Sequence, residues 1–292
     1  MKRALVLVLA LAVTGALAGS AQAARSVSAK AVGKSPAEVA AYWTAARMKN
    51  AKPAERAKGN GNARPKQSYP FTRYQAPKPY DARHGKVFFT ERGVNYVCSG
   101  TALTSGNQSV VWTAGHCVNE GPGAYVTNWA FVPGYDSGAR PYGTFAATNL
   151  YTTDRWRTAG DFSYDLGAAK VAPVGGRTLN ATVGGRGVSF NYTATVGATH
   201  FLSFGYPAAS PFNGSSLFIC DAKLGTRDAS ANPPTMGIGC DMTGGSSGGG
   251  WIDDSGRVAS VNSYGYQTLK NVMFGPYQGS VAQTLYTTAS AG

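Results

Sequence analysis

Hydrophobic and polar positions alternate in short runs from Gly85 onward, and each run stops at a turn residue. The runs KVFFT, NYVCSGTAL, SVVWTAG, YVTNWAFV, LGAAKVA, HFLSFGY, SLFICDA and RVASVNSYGY are rich in β-branched and aromatic residues, with Gly, Asn and Asp between them. Runs of this kind predict strands, and their close spacing without intervening helical patterns predicts an all-β barrel or sandwich. The C-terminal stretch GSVAQTLYTTA is the one late segment that predicts a helix.

A different texture precedes these runs. Ser35-Pro36-Ala37-Glu38 offers a hydroxyl N-cap, proline at the first helical position and glutamate three residues after the cap. The following VAAYWTAARMKNA places Val39, Tyr42, Trp43 and Ala46 on one side, which predicts a short amphipathic helix ended by Lys52-Pro53. KGNGNARPKQSYP then has the composition of a linker. Residues 24 to about 75 therefore read as a pro-segment or basic N-terminal extension, although a disordered exported tail has the same composition. Ahead of them, Lys2-Arg3, an apolar run over residues 4–16 and Ala21-Gln22-Ala23 follow the order of a secretory signal peptide over residues 1–23. The expectation is an exported protein, with no membrane partner once the signal is removed.

Composition changes this picture in one respect. Apolar residues make up 43% and charged residues 14%, ample for a core, and the formal net charge is +13. A basic chain raises the question of nucleic acid. Yet 12 of the 27 Lys and Arg and only 2 of the 14 Asp and Glu stand in residues 1–70, net +10, which leaves net +3 on the rest. The basic balance belongs to the leader and the segment behind it, so nucleic acid is not an expected partner.

The chemistry starts from a histidine. The chain has three, and His116 stands in TAGHC, directly after an apolar strand and beside Cys117. The four cysteines sort by neighbourhood into Cys98 with Cys117 and Cys220 with Cys240, one of three possible pairings. The first bridge would hold the residue next to His116 and contribute on the order of 3 kcal/mol in the chain-entropy model. A zinc site is disfavoured by the lack of C-x-x-C or H-x-x-x-H spacing, so no metal or other cofactor is expected.

CDMTGGSSGGGW, residues 240–251, is pinned by a cysteine at one end and an apolar strand at the other. Its glycines let backbone N–H groups turn inward around Ser246 and Ser247, as an oxyanion site requires. The same letters fit the G-x-S-x-G nucleophile elbow, but that fold places its histidine after the serine, and here His84, His116 and His200 all precede it. A serine nucleophile with a histidine base needs a carboxylate to orient the imidazole. Asp165, at the mouth of the strand in YDLGAAKVA, is the best placed, and Asp161 is the rival. The resulting order is His, Asp, Ser.

With CSGTAL, TAGHC, YDLGAAKV, GGSSGGG and SVNSYGY in place, the chain from about residue 86 to its end resembles the chymotrypsin-fold serine peptidases, specifically the exported trypsin-like enzymes of bacteria. The resemblance implies two perpendicular antiparallel six-stranded β-barrels, about 85–175 and 176–292 within a domain of residues 76–292, with the active site between them. It implies His116 as general base, Asp165 as its orienter, Ser247 as nucleophile and the amides of Gly245 and Ser247 as the oxyanion hole. It also implies that Ser263, Tyr264 and Gly265 pair with the substrate backbone beside the specificity pocket. Protein or peptide substrates and a monomer follow.

Three departures qualify the resemblance. Ser246 precedes the nucleophile where animal trypsins carry an aspartate that pairs with a new N-terminus, so activation by that ion pair is not expected. TGGSSGG is closer to the glutamyl-endopeptidase branch. Gly250 replaces the family's usual proline. Asp241, six residues before Ser247, stands where trypsin-like members attract basic side chains, but the shifted position of Cys240 leaves the preference open. A non-catalytic peptide-binding protein on the same fold, or an esterase with the same triad, are the other functional classes compatible with these residues.

Overall fold

The computed structural model describes residues 26–54, 57–58 and 68–291, with the backbone alone at 57–58. The segment expected to be a signal peptide and most of the expected linker lie outside the described residues. Six of the strands close on themselves. His84–Glu91 pairs with Val94–Leu103, which pairs with Val110–Thr113, and that strand pairs with Gly167–Val171. Gly167–Val171 pairs in turn with Phe145–Thr153, then Thr127–Pro133, which returns to His84–Glu91. Every pairing is antiparallel, and closure leaves no bare edge among the six.

The second sheet runs in the order Val258–Val261, Gly250–Ile252, His200–Gly205, Phe218–Asp228, Thr235–Gly239, Leu269–Gly275 and Tyr264–Tyr266, curled into a half-barrel. The all-β expectation holds, as does the C-terminal helix. That helix, Ser280–Ala291, buries Ala282, Leu285 and Ala289, spaced three and four residues apart on one face. Two short helices, Asp154–Ala159 and Leu179–Val183, have no counterpart in the sequence expectation; Thr153 and Thr178 cap them through their hydroxyls.

The segment before the linker is built onto the closed barrel. Val27–Ala31 pairs antiparallel with Phe145–Thr153 along residues 149–153. The capping box at Ser35 starts the helix Pro36–Tyr42, as its sequence predicts. The helix does not continue to Lys52, because the Thr44 hydroxyl accepts from Arg47 N–H and starts a second helix, Ala45–Asn50. The break at Trp43 lets its ring enter the core, where its indole N–H donates to the Asn128 carbonyl at 2.6 Å and its ring lies 5.3 Å from that of Phe88. Val39, Trp43 and Met48 are all buried. Lys52–Pro53 is a strand, parallel to residues 96–97. Beyond the linker, Phe71–Gln75 pairs with Phe218–Asp228, so by pairing these residues belong with the second sheet.

Candidate active site

Strand register brings the histidine and the aspartate together. Gly167 stands opposite Thr113 in the antiparallel pair, so residues just before Gly167 face residues just after Thr113. His116 sits in the turn Gly115–Cys117 and Asp165 closes the turn Phe162–Tyr164. Asp165 Oδ1 accepts the backbone N–H of His116 at 2.8 Å, and Oδ2 lies 2.8 Å from Nδ1 of its ring. Oδ2 also accepts the Ser263 hydroxyl at 2.5 Å, which links the pair to the second sheet. Asp165 is fully buried, and the His116 N–H, the imidazole and the Ser263 hydroxyl supply the hydrogen bonds that a buried carboxylate requires. Gly115 makes room, since a Cβ there would lie 2.9 Å from Asp165 Oδ1 and 2.8 Å from the Trp156 ring. The rival Asp161 is elsewhere: it caps the turn through Ser163 N–H and pairs with Arg155 at the surface.

The other face of the imidazole is unclaimed. Nε2 of His116 is buried and has no hydrogen-bond partner among the described residues. The serine loop is held next to it through the main chain. Ser99 N–H donates to the Ser247 carbonyl at 2.7 Å, and the Cys117 sulfur lies 3.7 Å from the same oxygen. Gly248 N–H donates to the Asn262 carbonyl and Asn262 N–H to the Gly249 carbonyl, at 2.8 and 2.9 Å. The Asn262 amide donates to the carbonyls of Phe204 and Ser246. Ser246 turns its hydroxyl back onto the Thr243 carbonyl at 2.8 Å, so it braces the loop from inside. Gly245 and Gly248 have φ of +96° and +81°, the left-handed region that glycine adopts without strain.

The two amides that the sequence leads one to expect as an oxyanion hole differ in their hydrogen bonding. Ser247 N–H has no hydrogen bond among the described residues, whereas Gly245 N–H donates to the Ala54 carbonyl at 2.9 Å. Both disulfides of the neighbourhood pairing are formed, Cys98–Cys117 with Cα atoms 6.2 Å apart and Cys220–Cys240 with 5.6 Å. Ligand atoms of Cys98, His116 and Cys117 fall within 4.8 Å of one another, but both sulfurs are bonded to each other and offer no thiolate.

A cavity of about 250 Å³ opens beside Ser247, lined among others by Asp241, Ser263, Tyr264, Gly265 and Lys270. Tyr264 and Tyr266 both donate their hydroxyls to Asp228 Oδ2 at 2.6 Å, fixing the strand that forms one wall. Burial and then the Asp228 carboxylate push the Tyr264 hydroxyl's pKa well above its ordinary value, so it stays a donor. Asp241 is not a bare charge. Arg73 Nε lies 2.7 Å from its Oδ1, a charge contact whose angle falls short of a hydrogen bond, and the guanidinium lies over the rings of Phe212 and Phe218 at 4.8 and 5.7 Å. Sequence reading missed Arg73 and Asn262. Asn262 carried a signal, a polar residue inside the apolar run RVASVNSYGY; Arg73, far away in sequence, carried none.

The remaining histidines are occupied differently. His84 stacks on Phe204 at 3.8 Å, and burial pushes its pKa down to about 3, which keeps it neutral. His200 bridges Asp221 and Asp254 at 2.7 and 2.9 Å, partly exposed at the start of its strand.

A closed β-barrel, a second curled sheet and a buried Asp–His pair beside a glycine-rich serine loop define a serine peptidase of the chymotrypsin type. No family model matches the chain, and no curated protein matches it. Solved structures do. The protease Anisep from Arthrobacter nicotinovorans aligns with a TM-score of 0.71 at 47% identity, over 76% of this chain and 100% of that one. The thermostable serine protease AL20 from an extremophilic microorganism aligns at 0.68 and 42% identity, over 72% of this chain and 98% of that one. A Glu endopeptidase shares the fold at 0.61, with 20% identity over 75% and 97%. The chain belongs to the chymotrypsin-fold serine peptidases, and it is a serine-type endopeptidase.

Proposed function

We propose that the chain cleaves peptide bonds through an acyl-enzyme formed on Ser247. The observation that carries this reading is His116: one ring nitrogen is held by Asp165, and the other is buried without a partner. In the reaction, Ser247 Oγ bonds to the peptide carbonyl carbon as its proton passes to His116 Nε2. The C–N bond then breaks and the departing amine takes that proton. A water molecule repeats the sequence on the ester and restores the serine. Asp165 keeps Nδ1 protonated, so that Nε2 is the basic nitrogen. The amides of Gly245 and Ser247 receive the negative oxygen of the tetrahedral intermediate. The test is labelling with a fluorophosphonate, read by mass spectrometry alongside casein hydrolysis. The expected adduct is on Ser247 and disappears in His116→Ala; casein hydrolysis without any adduct would refute the mechanism.

The substrate side chain on the acyl side of the scissile bond enters the cavity above Asp241. Because Arg73 neutralises that carboxylate and Lys270 also lines the cavity, the pocket does not favour arginine or lysine as strongly as a lone aspartate would. Arg73→Gln is expected to raise kcat/KM for cleavage after Arg, relative to cleavage after Leu, about tenfold, the equivalent of 1.4 kcal/mol. A peptide-library profile of the two enzymes reads the ratio, and no change would show that Arg73 has no part in selection.

We also assign the protein to the cell exterior, acting as a monomer on protein substrates. The leader pattern and the two disulfides support this, since such bridges persist in oxidising surroundings. Among the described residues no helix is long and apolar enough to cross a membrane.

A further inference from the structure

The structure assigns an inhibitor to the site from within the chain: we propose that Ala54 and Ala57–Lys58 occupy the substrate cleft with reversed polarity, which blocks catalysis without their being cleaved. This rests on the serine-peptidase reading above and adds a mode of control to it. Two contacts place the segment in the machinery. The Ala54 carbonyl accepts from Gly245 N–H at 2.9 Å, so one of the amides meant for the oxyanion already holds an oxygen. Three residues later, Ala57–Lys58 pairs with Gly265 and Tyr266, along the wall of the specificity cavity.

Direction decides whether this is a substrate or a plug. After the first chemical step the acyl half of a substrate stays attached to the serine while the amine half leaves. The specificity cavity receives the acyl-side residue, and residues 263–266 line it, so the strand there is placed to hold residues N-terminal to the scissile carbonyl. The segment does the opposite. With its Ala54 carbonyl at Gly245, it lays residues C-terminal to that carbonyl on the strand, and the pairing with Tyr264–Tyr266 is parallel. Attack on Ala54 would leave the strand-bound half as the amine and the acyl half outside the pocket's grip. The contact therefore fills the donor and the strand edge in a geometry that does not lead to turnover.

The plug is held from upstream by the closed barrel, independently of the cleft. Ala54 N–H donates to the Val97 carbonyl at 2.9 Å, Lys52–Pro53 runs parallel to residues 96–97, and Trp43 is anchored on Asn128. Further back, Val27–Ala31 adds a strand to Phe145–Thr153. Intramolecular tethering gives such a segment a high effective concentration even where each contact is weak. Anisep and AL20, each covered almost whole, match only 76% and 72% of this chain, which leaves uncovered about the length that stands ahead of Phe71.

The test uses the full chain, folded first, with a site for a foreign endopeptidase placed within residues 59–67. Fluorophosphonate labelling of Ser247 is followed before cutting and after cutting and removal of the released segment. A segment docked about 99% of the time slows labelling roughly a hundredfold. A synthetic peptide of residues 26–58 added back is expected to restore the block and to be recovered intact. Trp43→Ala in the uncut chain loosens the anchor and is expected to raise its labelling rate toward that of the cut form. Equal labelling before and after removal, or consumption of the peptide as a substrate, would overturn the proposal. A cut chain that neither labels nor hydrolyses casein would sink the peptidase reading itself, and the inhibitor with it.

Discussion

Asparagine in place of Asp165 is expected to lower kcat/KM on peptide substrates by about 10⁴-fold, with the far-ultraviolet spectrum and thermal midpoint close to those of the parent. The reason lies in the three donors that converge on this carboxylate: His116 N–H on Oδ1, and the imidazole Nδ1 and the Ser263 hydroxyl on Oδ2. An amide has one acceptor oxygen. If that oxygen keeps the backbone N–H, the NH₂ faces Nδ1, which must then accept, and the ring proton moves to Nε2. A protonated Nε2 cannot take the proton of Ser247. If the amide turns over, its NH₂ meets the backbone donor of His116 with no acceptor between them. Ser263→Ala removes one donor and leaves Oδ2 on Nδ1, so it should cost far less. The measurement is steady-state kinetics of both variants on the chain freed of residues before the linker. A fall of less than tenfold for Asp165→Asn would mean that the tautomer is set by something else.

The His116–Asp165 contact of the candidate site was legible in sequence, where local pattern and strand register decide it. TAGHC follows an apolar strand, YDLGAAKV opens another, and pairing Gly167 with Thr113 is enough to bring His116 and Asp165 together. The strands themselves were legible because period-two apolar runs ended at turn residues. What stayed hidden depends on contacts between residues far apart in the chain. Composition made residues 24–75 look like a basic tail or pro-segment, and the capping box at Ser35 was read, yet nothing local says that Val39, Trp43 and Met48 pack against the barrel. The helix break at Trp43 was missed because a good helical face continued through it. The Thr44 cap and the indole's burial against Phe88 and Asn128 outweigh that propensity. Arg73 shows the same limit for specificity. The acid at 241 could be placed from its distance to Ser247, but its countercharge arrives on a strand, Phe71–Gln75, that pairs across the second sheet.

Alanine in place of Gly248 is expected to unfold the chain or displace Ser247, whereas the same replacement at Gly256 is expected to be tolerated. Both residues have positive φ, +81° and +78°, so both alanines carry backbone strain on the order of 1–3 kcal/mol. Their surroundings differ. A Cβ on Gly248 would lie 2.0 Å from Thr113 Oγ1, 2.5 Å from the Ser99 carbonyl and 2.9 Å from Ala114 N. Two of these atoms are main chain, in the strands that carry Cys98 and lead to His116, and neither can swing aside. At Gly256 the nearest atom is 3.8 Å away, at the far end of the Arg186 side chain. Overpacking adds roughly 1–3 kcal/mol where relaxation is possible and more where the obstacle is backbone. Against a total stability of about 5–15 kcal/mol, strain and overlap together consume much of the margin. Any relaxation has to move residue 248, and with it Ser247, away from the strand ends beneath His116. Urea midpoints and fluorophosphonate labelling of the two variants separate the effects, the first reading stability and the second the position of the serine. Similar midpoints with both variants labelled at the parent rate would show that the serine loop is not wedged against these strands.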